Sequence, residues 1–238
     1  MSRQNEANQL FWEPIAETRW GKYLSEIEMR HILFAHETAG KIGDALEVGA
    51  EGGRWSRVLA ERGWSMTCTD INGKALRVCQ ERIPTSECIL VDQESTALPA
   101  KDDSHDMVLC IEVGEVLESS WFLSELDRVL RPGGQLVCVF QNRDSLRALF
   151  RRQYTNRETT DPQYNVGYAD WRRRLRASGF SISKEEGMCW MPFPRSSDSR
   201  MIPFFTFFEK AAGLRRFTSL SPWITLVAKK EKPRRTLN

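Results

Sequence analysis

The chain has 238 residues, of which 41% are hydrophobic and 28% charged, and its net charge at pH 7 is +2. That length and balance suit one globular domain with decoration and a sizeable core, and they argue against a polycation, a fibrous chain or a disordered one. No apolar run approaches the roughly 18 residues that cross a membrane, and the opening M-S-R-Q-N-E-A-N-Q-L lacks the basic-then-apolar profile of a leader, so a cytoplasmic location is expected.

In chain order, residues 1–40 come first. Phe11, Trp12, Trp20 and Tyr23 precede a helical pattern through Ile27, Arg30, His31 and Phe34. Two readings are open: helices packed on a sheet, or a helical cap over an active site. The aromatic content and upstream position favour the cap.

The stretch Asp44–Asp70 organises the rest. Ala45, Leu46 and Val48 read as a buried strand, and Gly49, Gly52 and Gly53 as a turn. Trp55, Val58 and Leu59 recur at helical spacing, Gly63 stops that helix, and a second strand runs from Met66 to Asp70. A strand–turn–helix–strand unit with an acidic residue about 20 positions beyond the turn suits an adenosine-containing cofactor. Glycines let the backbone approach a ligand, and the helix start offers free N–H groups to an anion. The turn is not the dinucleotide pattern G-x-G-x-x-G. A carboxylate at Glu47 would repel a pyrophosphate but suits an ammonium group. S-adenosylmethionine (SAM) carries an ammonium, a sulfonium, a carboxylate and an adenosine. Glu47 matches the ammonium, the helix start the carboxylate and Asp70 the ribose.

Gly73 to Ile83 follows as a helix with Leu76, Cys79 and Ile83 on one face, and Glu87 to Val91 as a strand ending at Asp92. Asp106 to Glu112 is an apolar strand, Ser119 to Leu130 a helix, Arg131–Gly134 a turn, and Leu136–Phe140 a strand. This alternation predicts an α/β fold with a mostly parallel sheet covered by helices on both faces.

At this point residues 42–142 resemble the class I SAM-dependent methyltransferases. Their first motif, acidic-x-G-x-G-x-G, is matched by Glu47, Gly49 and Gly53, while Glu51 stands at the middle glycine. Asp92 corresponds to the acidic residue beside adenine, H-D-M-V-L-C-I-E-V to the fourth strand, and L-R-P-G-G to the turn before the fifth. The resemblance implies a Rossmann-like, doubly wound, seven-stranded sheet with its last strand antiparallel. It also implies SAM as cofactor, S-adenosylhomocysteine as product, and a cofactor site at Glu47, Gly49, Ala50, Glu51, Gly53, Asp70, Ile71, Asp92, Gln93 and Ile111.

Residues 143–166 are rich in arginine (Arg143, Arg147, Arg151, Arg152 and Arg157). They read either as a solvated helix face and loop or as an anion site. Trp20, Tyr23, Gln141, Tyr154 and Tyr164 are candidates for the acceptor pocket, with Tyr168 nearby. Tyr168, Trp171 and Leu175 belong to a helix ended by Gly179, and Phe180 to Glu185 to a strand. Then come C-W-M-P-F-P, a polar loop and M-I-P-F-F-T-F-F, where Pro203 suits the first turn of a short helix. Core packing is the ordinary fate of such aromatics; contact with an apolar acceptor or a membrane surface is the other. Trp223 to Ala228 closes the sheet. The expected division is a cap at 1–40, a catalytic domain at 41–230 and a basic tail at 231–238.

The six cysteines form no C-x-x-C pair and read as reduced core thiols, with no metal expected. Where the related pattern E-V-L-E-H-V has a histidine, E-V-G-E-V-L has Val116. Glu112, Glu115 and His31 remain as candidate bases, against the alternatives that Glu112 shapes the cofactor pocket and His31 is a plain helix residue. No N-P-P-aromatic or Pro-Cys motif is present, and no appended nucleic-acid module is apparent. The expectation is methyl transfer to O or N of a small molecule, of biosynthetic or sugar-containing type by analogy of architecture. The competing expectations are a non-catalytic SAM-fold binding protein and an RNA or protein methyltransferase using the arginines.

Overall fold

The computed structural model describes residues 10–155 and 166–231, with residues 151–155 described by backbone alone. The elements in order are α1 (Trp12–Glu17), α2 (Arg19–Thr38), β1 (Asp44–Val48), α3 (Arg54–Ala60), β2 (Ser65–Asp70), α4 (Gly73–Arg82), β3 (Glu87–Leu90) and β4 (His105–Ile111). They continue with α5 (Gly114–Glu118), α6 (Phe122–Val129), β5 (Leu130–Gln141), α7 (Leu146–Thr155), α8 (Tyr168–Ala177), β6 (Phe180–Met188), α9 (Ile202–Ala211) and β7 (Trp223–Lys230).

One sheet of seven strands has the order β3-β2-β1-β4-β5-β7-β6. Strands β1 to β5 are parallel, and β7 runs antiparallel to both β5 and β6. Strand alternation sorts the side chains of each strand between two cores. In β1, Leu46 and Val48 join Phe122, Leu126 and Trp171 of α6 and α8 on one face. Ala45 joins Ile32, Trp55, Leu59 and Leu76 of α2, α3 and α4 on the other. By the same period Glu47 falls on the α2/α3 face, and β4 repeats the pattern with Met107, Leu109 and Ile111 on that side. Each of the large, fully buried side chains, such as Trp171, Phe122 and Leu46, contributes roughly 1.5–3 kcal/mol by leaving water.

Three local expectations shift. The segment Ser119–Leu130 is not one helix: α5 and α6 are separated by Ser119, whose hydroxyl accepts from Phe122 N at 3.3 Å. Arg131–Gly134 is carried inside a long β5 as an irregularity against β4, with Gly133 at φ +88°. Strand β6 extends to Met188 because β7 pairs with it along its length.

The N-terminal segment divides into two parts. Helix α2 lies on the sheet: Ile32 and Ala35 pack with Val137 and Val227, and Trp20, Tyr23, Leu24 and Ile27 with Val139 and Trp223. Thr18 caps it by accepting from Gly21 N at 3.0 Å. Only the short α1 sits at the loop after β1.

Candidate active site

Strands β1 and β4 are neighbours, and from them the chain winds outward in opposite directions. Such a reversal opens a crevice at the carboxyl ends of the two strands. Glu47 and Gly49 stand at the end of β1, and Ile111 and Glu112 at the end of β4.

The loop after β1 is fixed by backbone bonds. Gly49 N and Ala50 N both donate to Thr69 O at 2.9 Å. Asp70 accepts from Glu51 N and from Asn72 N, each at 2.8 Å, and so clamps the loops after β1 and β2 together. Each carboxylate oxygen keeps a further lone pair for a hydroxyl. Gly49 and Gly53 lie at φ +70° and +73°. A Cβ on Gly49 would come within 2.5 Å of Val113, and one on Gly53 within 2.5 Å of Cys79. Glu51, at the position of the family's middle glycine, takes the left-handed conformation too, at φ +48°. Its carboxylate accepts from Phe11 N and, at 3.3 Å, from Trp12 N. The strained residue thus ties the start of α1 over the loop. Arg82 makes a second tie, pairing with Glu13 and donating to Gly52 O at 3.1 Å.

Under α1 lies a small cavity of about 30 Å³ lined by Trp12, Glu28, Glu47, Gly49, Ala50, Glu51, Arg54, Trp55, Ile111 and Glu112. Three of these are inward carboxyls. Burial pushes Glu47 up to about 8, against the hydrogen bond it accepts from Ser56. Glu28 is buried, and burial raises its pKa against the pull of Arg54. One of its oxygens sits 2.8 Å from Arg54 Nη2, and Oε1 has no hydrogen-bond partner among the described residues. Glu112 has φ +61°, and its N–H donates to Val139 O at 2.8 Å. Burial and then the neighbouring Glu28 hold its carboxyl well above the usual range, with Arg195 and Arg54 opposing. Arg54 lies over the Trp55 ring at 4.1 Å, and Arg195 over the rings of Trp12 and Trp223 at 5.0 Å each.

Glu112 also borders a second hollow of about 290 Å³ with Val113, Gly114, Glu115, Phe140, Gln141 and Arg195. One carboxyl therefore stands between the two spaces. A larger hollow of about 570 Å³ lies beside α1 and α3 and shares only Gly53 with the expected cofactor residues.

The expected residues separate accordingly. Glu47, Gly49, Ala50, Glu51, Ile111 and Glu112 converge on the small cavity, and Glu115 and Gln141 on the second hollow. Asp70, Ile71, Asp92 and Gln93 follow the adjacent, parallel-paired ends of β2 and β3. There Ile71 is exposed and Asp92 accepts from Glu94 N at 2.8 Å. His31 does not join them: it is fully buried, with Nδ1 2.9 Å from Ile27 O, and burial lowers its pKa to about 4. Trp20 and Tyr23 are core residues that bind α2 to the segment after β6, Tyr23 donating to Glu209 and accepting from Cys189 N at 3.2 Å. Tyr164 and the Tyr154 side chain lie outside the described residues. Tyr168 is buried and donates to Glu185 at 2.5 Å. Of the arginines, Arg143 pairs with Glu118 at 3.4 Å, and Arg147 donates to the carbonyls of Cys189 and Trp190.

Glu28, Arg54, Ser56 and Arg195 were missed. Arg54 and Ser56 lie in the first turn after the glycine loop, so the spacing marked them. Glu28 and Arg195 arrive from distant segments, and nothing local marks them. Among the described residues, Cys68, Cys79 and Cys88 place their sulfurs within 4.8 Å of one another between α4 and the sheet. Cys68 and Cys88 face each other in register, and Cys68 and Cys79 are fully buried.

The site fits an adenosyl amino acid on its own chemistry. Buried carboxyls, one with an orphaned oxygen, suit an ammonium and a sulfonium, and Asp70 and Asp92 suit the hydroxyls and the base. Residues 46–138 match the methyltransferase domain family. A demethylmenaquinone methyltransferase of Tropheryma whipplei (strain Twist) is 35% identical over 121 residues, 49% of each chain. The chain thus spans about half the length of this relative. A ubiquinone biosynthesis O-methyltransferase of Nitrosospira multiformis is 26% identical over 206 residues, 82% of this chain and 85% of the relative. Among solved structures, geranyl diphosphate C-methyltransferase from Streptomyces coelicolor A3(2), in complex with Mg²⁺, geranyl diphosphate and S-adenosylhomocysteine, superposes with a TM-score of 0.59 at 14% identity, over 87% of this chain and 80% of that one. That last likeness is one of fold.

Proposed function

We propose that the chain, whose residues 46–138 match the methyltransferase domain family, is a class I SAM-dependent methyltransferase that transfers the methyl group of SAM to an O or N atom of a small-molecule acceptor. The observation that carries this is the convergence of Glu28, Glu47 and Glu112 at the ends of β1 and β4, with Asp70 beside them on β2. SAM supplies a methyl group already activated by its sulfonium, so the protein's work is positioning, desolvation and handling of one proton.

Glu47 would hold the ammonium, Asp70 the ribose, and Asp92 with the Gln93 backbone the adenine, with Ile71 and Ile111 offering apolar surface to it. The small cavity admits little more than water, so Trp12 and α1 would have to shift outward for the site to fill. The acceptor occupies the hollow of Gln141, Glu115 and Arg195. Glu112, shared by both spaces, stands where the two reactants meet. With a hydroxyl acceptor, the S–CH₃ bond would break as the O–CH₃ bond forms, leaving S-adenosylhomocysteine, and the hydroxyl proton would pass to the Glu28–Glu112 pair while one of its carboxyls is ionised. An amine acceptor has to be presented uncharged.

The test is Glu112→Gln. It is expected to lower kcat by about 10²-fold or more while SAM affinity stays within a factor of a few. An unchanged kcat with hydroxyl acceptors would remove the proton role and leave Glu112 as a wall of the pocket.

A further inference from the structure

We propose that α9 and the turn after it form a docking face for an anionic lipid surface. The docking goes beyond methyl transfer and does not rest on it; only the consequence drawn for the acceptor hollow rests on that reading. Helix α9 is inside out relative to an ordinary surface helix. Its glutamate, Glu209, is 1% exposed, while Phe204, Phe207 and Phe208 are 60%, 69% and 50% exposed. Met201 before the helix and Phe217 after it are also more than half exposed.

Interior partners explain the inward glutamate. Glu209 accepts from the Tyr23 hydroxyl, from Trp190 N at 3.1 Å and from Arg215 Nε at 3.1 Å. With its acid turned in, the helix presents phenylalanines and Lys210 outward. Arg200 and Arg216 flank it, also exposed. None of these three cations has an acidic partner among the described residues. A face of apolar rings bordered by unpaired cations complements a bilayer that carries negative headgroups. Helix α9 has 10 residues, too few to cross a bilayer, and no helix among the described residues is long and apolar enough to do so. The face therefore lies on the surface with its rings in the headgroup region.

Its place in the fold gives docking a consequence. The segment 189–222 leaves the sheet at Met188 and returns at Trp223, which pair with each other, and Trp223 pairs with Gln141 at the carboxyl end of β5. It is thus rooted at the sheet end that bears the crevice. Arg195 of this segment lines the acceptor hollow, and Phe193 touches Phe205 of α9 with ring centres 5.8 Å apart. A protein docked through α9 holds the acceptor hollow near the lipid.

The test is co-sedimentation of the full chain with vesicles of phosphatidylcholine containing a minor share of phosphatidylglycerol, against pure phosphatidylcholine, alongside F204S/F207S/F208S and K210Q/R216Q. Wild type is expected to sediment with the anionic vesicles and much less with the neutral ones. The phenylalanine variant should lose at least about tenfold in binding with its far-UV circular dichroism and SAM affinity retained. The charge variant should lose roughly fivefold per cation removed. Wild type left in the supernatant with anionic vesicles would overturn the proposal. So would a correctly folded phenylalanine variant that binds as wild type does. A wild-type dimer that the phenylalanine variant breaks, without vesicle binding, would assign the face to a second copy of the chain instead.

Discussion

The loop after β1 and the segment between β6 and β7 both bury a glutamate, and they treat it in opposite ways. Glu47 has Ser56 as its hydrogen-bonding side chain and is pushed up to about 8 by burial. Glu209, also raised by burial, is surrounded by Tyr23, Trp190 N and Arg215, which draw it down. The first carboxyl is held by Ser56 at the crevice, where we propose that it meets the ammonium. The second is satisfied by the protein and holds a segment in place. Burial alone does not mark a functional carboxyl; the cations and donors the protein sets around it decide what it does.

The largest test of that contrast is Glu209→Ala. It leaves the Tyr23 hydroxyl and Trp190 N without their acceptor and Arg215 with Glu186 as its remaining partner at 3.1 Å, and should cost about 3–5 kcal/mol of unfolding free energy, read by urea titration. A cost under about 1 kcal/mol would show that the cluster is not holding the segment. His31 supplies the next largest effect. Its folded pKa, about 4, lies below its unfolded value of 6.5, so the unfolded chain takes up its proton first and stability falls as pH drops from 6.5 towards 4. His31→Phe should flatten that acid arm by about 3 kcal/mol; an arm of unchanged slope would assign the acid loss to other groups.

Glu47 runs the other way. Its folded pKa is above the unfolded one, so its contribution is intact below the ordinary carboxyl value of 4.5 and is lost as pH rises towards 8. Glu47→Gln should therefore stabilise the ligand-free protein near pH 8 by on the order of 2 kcal/mol and weaken SAM binding. In wild type, binding an ammonium expels the Glu47 proton, so affinity should climb by up to about tenfold per pH unit below 8 and level off above it. Calorimetry in buffers of different ionisation enthalpy reads the released proton, and equal heats in all buffers would count against the assignment. The smallest effect belongs to Glu51→Gly. Relief of the left-handed strain should offset most of the lost caps on Phe11 and Trp12, leaving stability within about 1 kcal/mol of wild type. Protease sensitivity of residues 10–17 should still rise, because α1 loses its tie to the loop.

The same two regions show what was legible in the sequence. From Asp44 to Asp92, strand, turn and helix follow one another at the expected offsets, so local spacing was enough to put Glu47 and Gly49 at the end of β1, Asp70 at the end of β2 and Asp92 just past β3. The left-handed Glu51 could be located but not explained, since its carboxylate is used by a segment some 39 residues upstream. Trp20, Tyr23 and His31 misled because an aromatic or histidine on an amphipathic helix reads alike whether it faces a pocket or a core, and α2 turned out to cover the sheet. Glu28 and Arg195 reach the crevice from α2 and from the segment after β6, so their role exists only once the chain is folded. The inverted α9 was visible as a run of phenylalanines, but which way they point depends on where Tyr23 and Arg215 place Glu209.

The most direct test of the central claim is a calorimetric titration of SAM into the purified full chain and into Asp70→Ala. The predicted result is micromolar binding to wild type, lost in the variant while its far-UV circular dichroism is unchanged. Equal affinity in the two proteins, or no binding to wild type between pH 7 and 9, would contradict the cofactor site at the ends of β1 and β2.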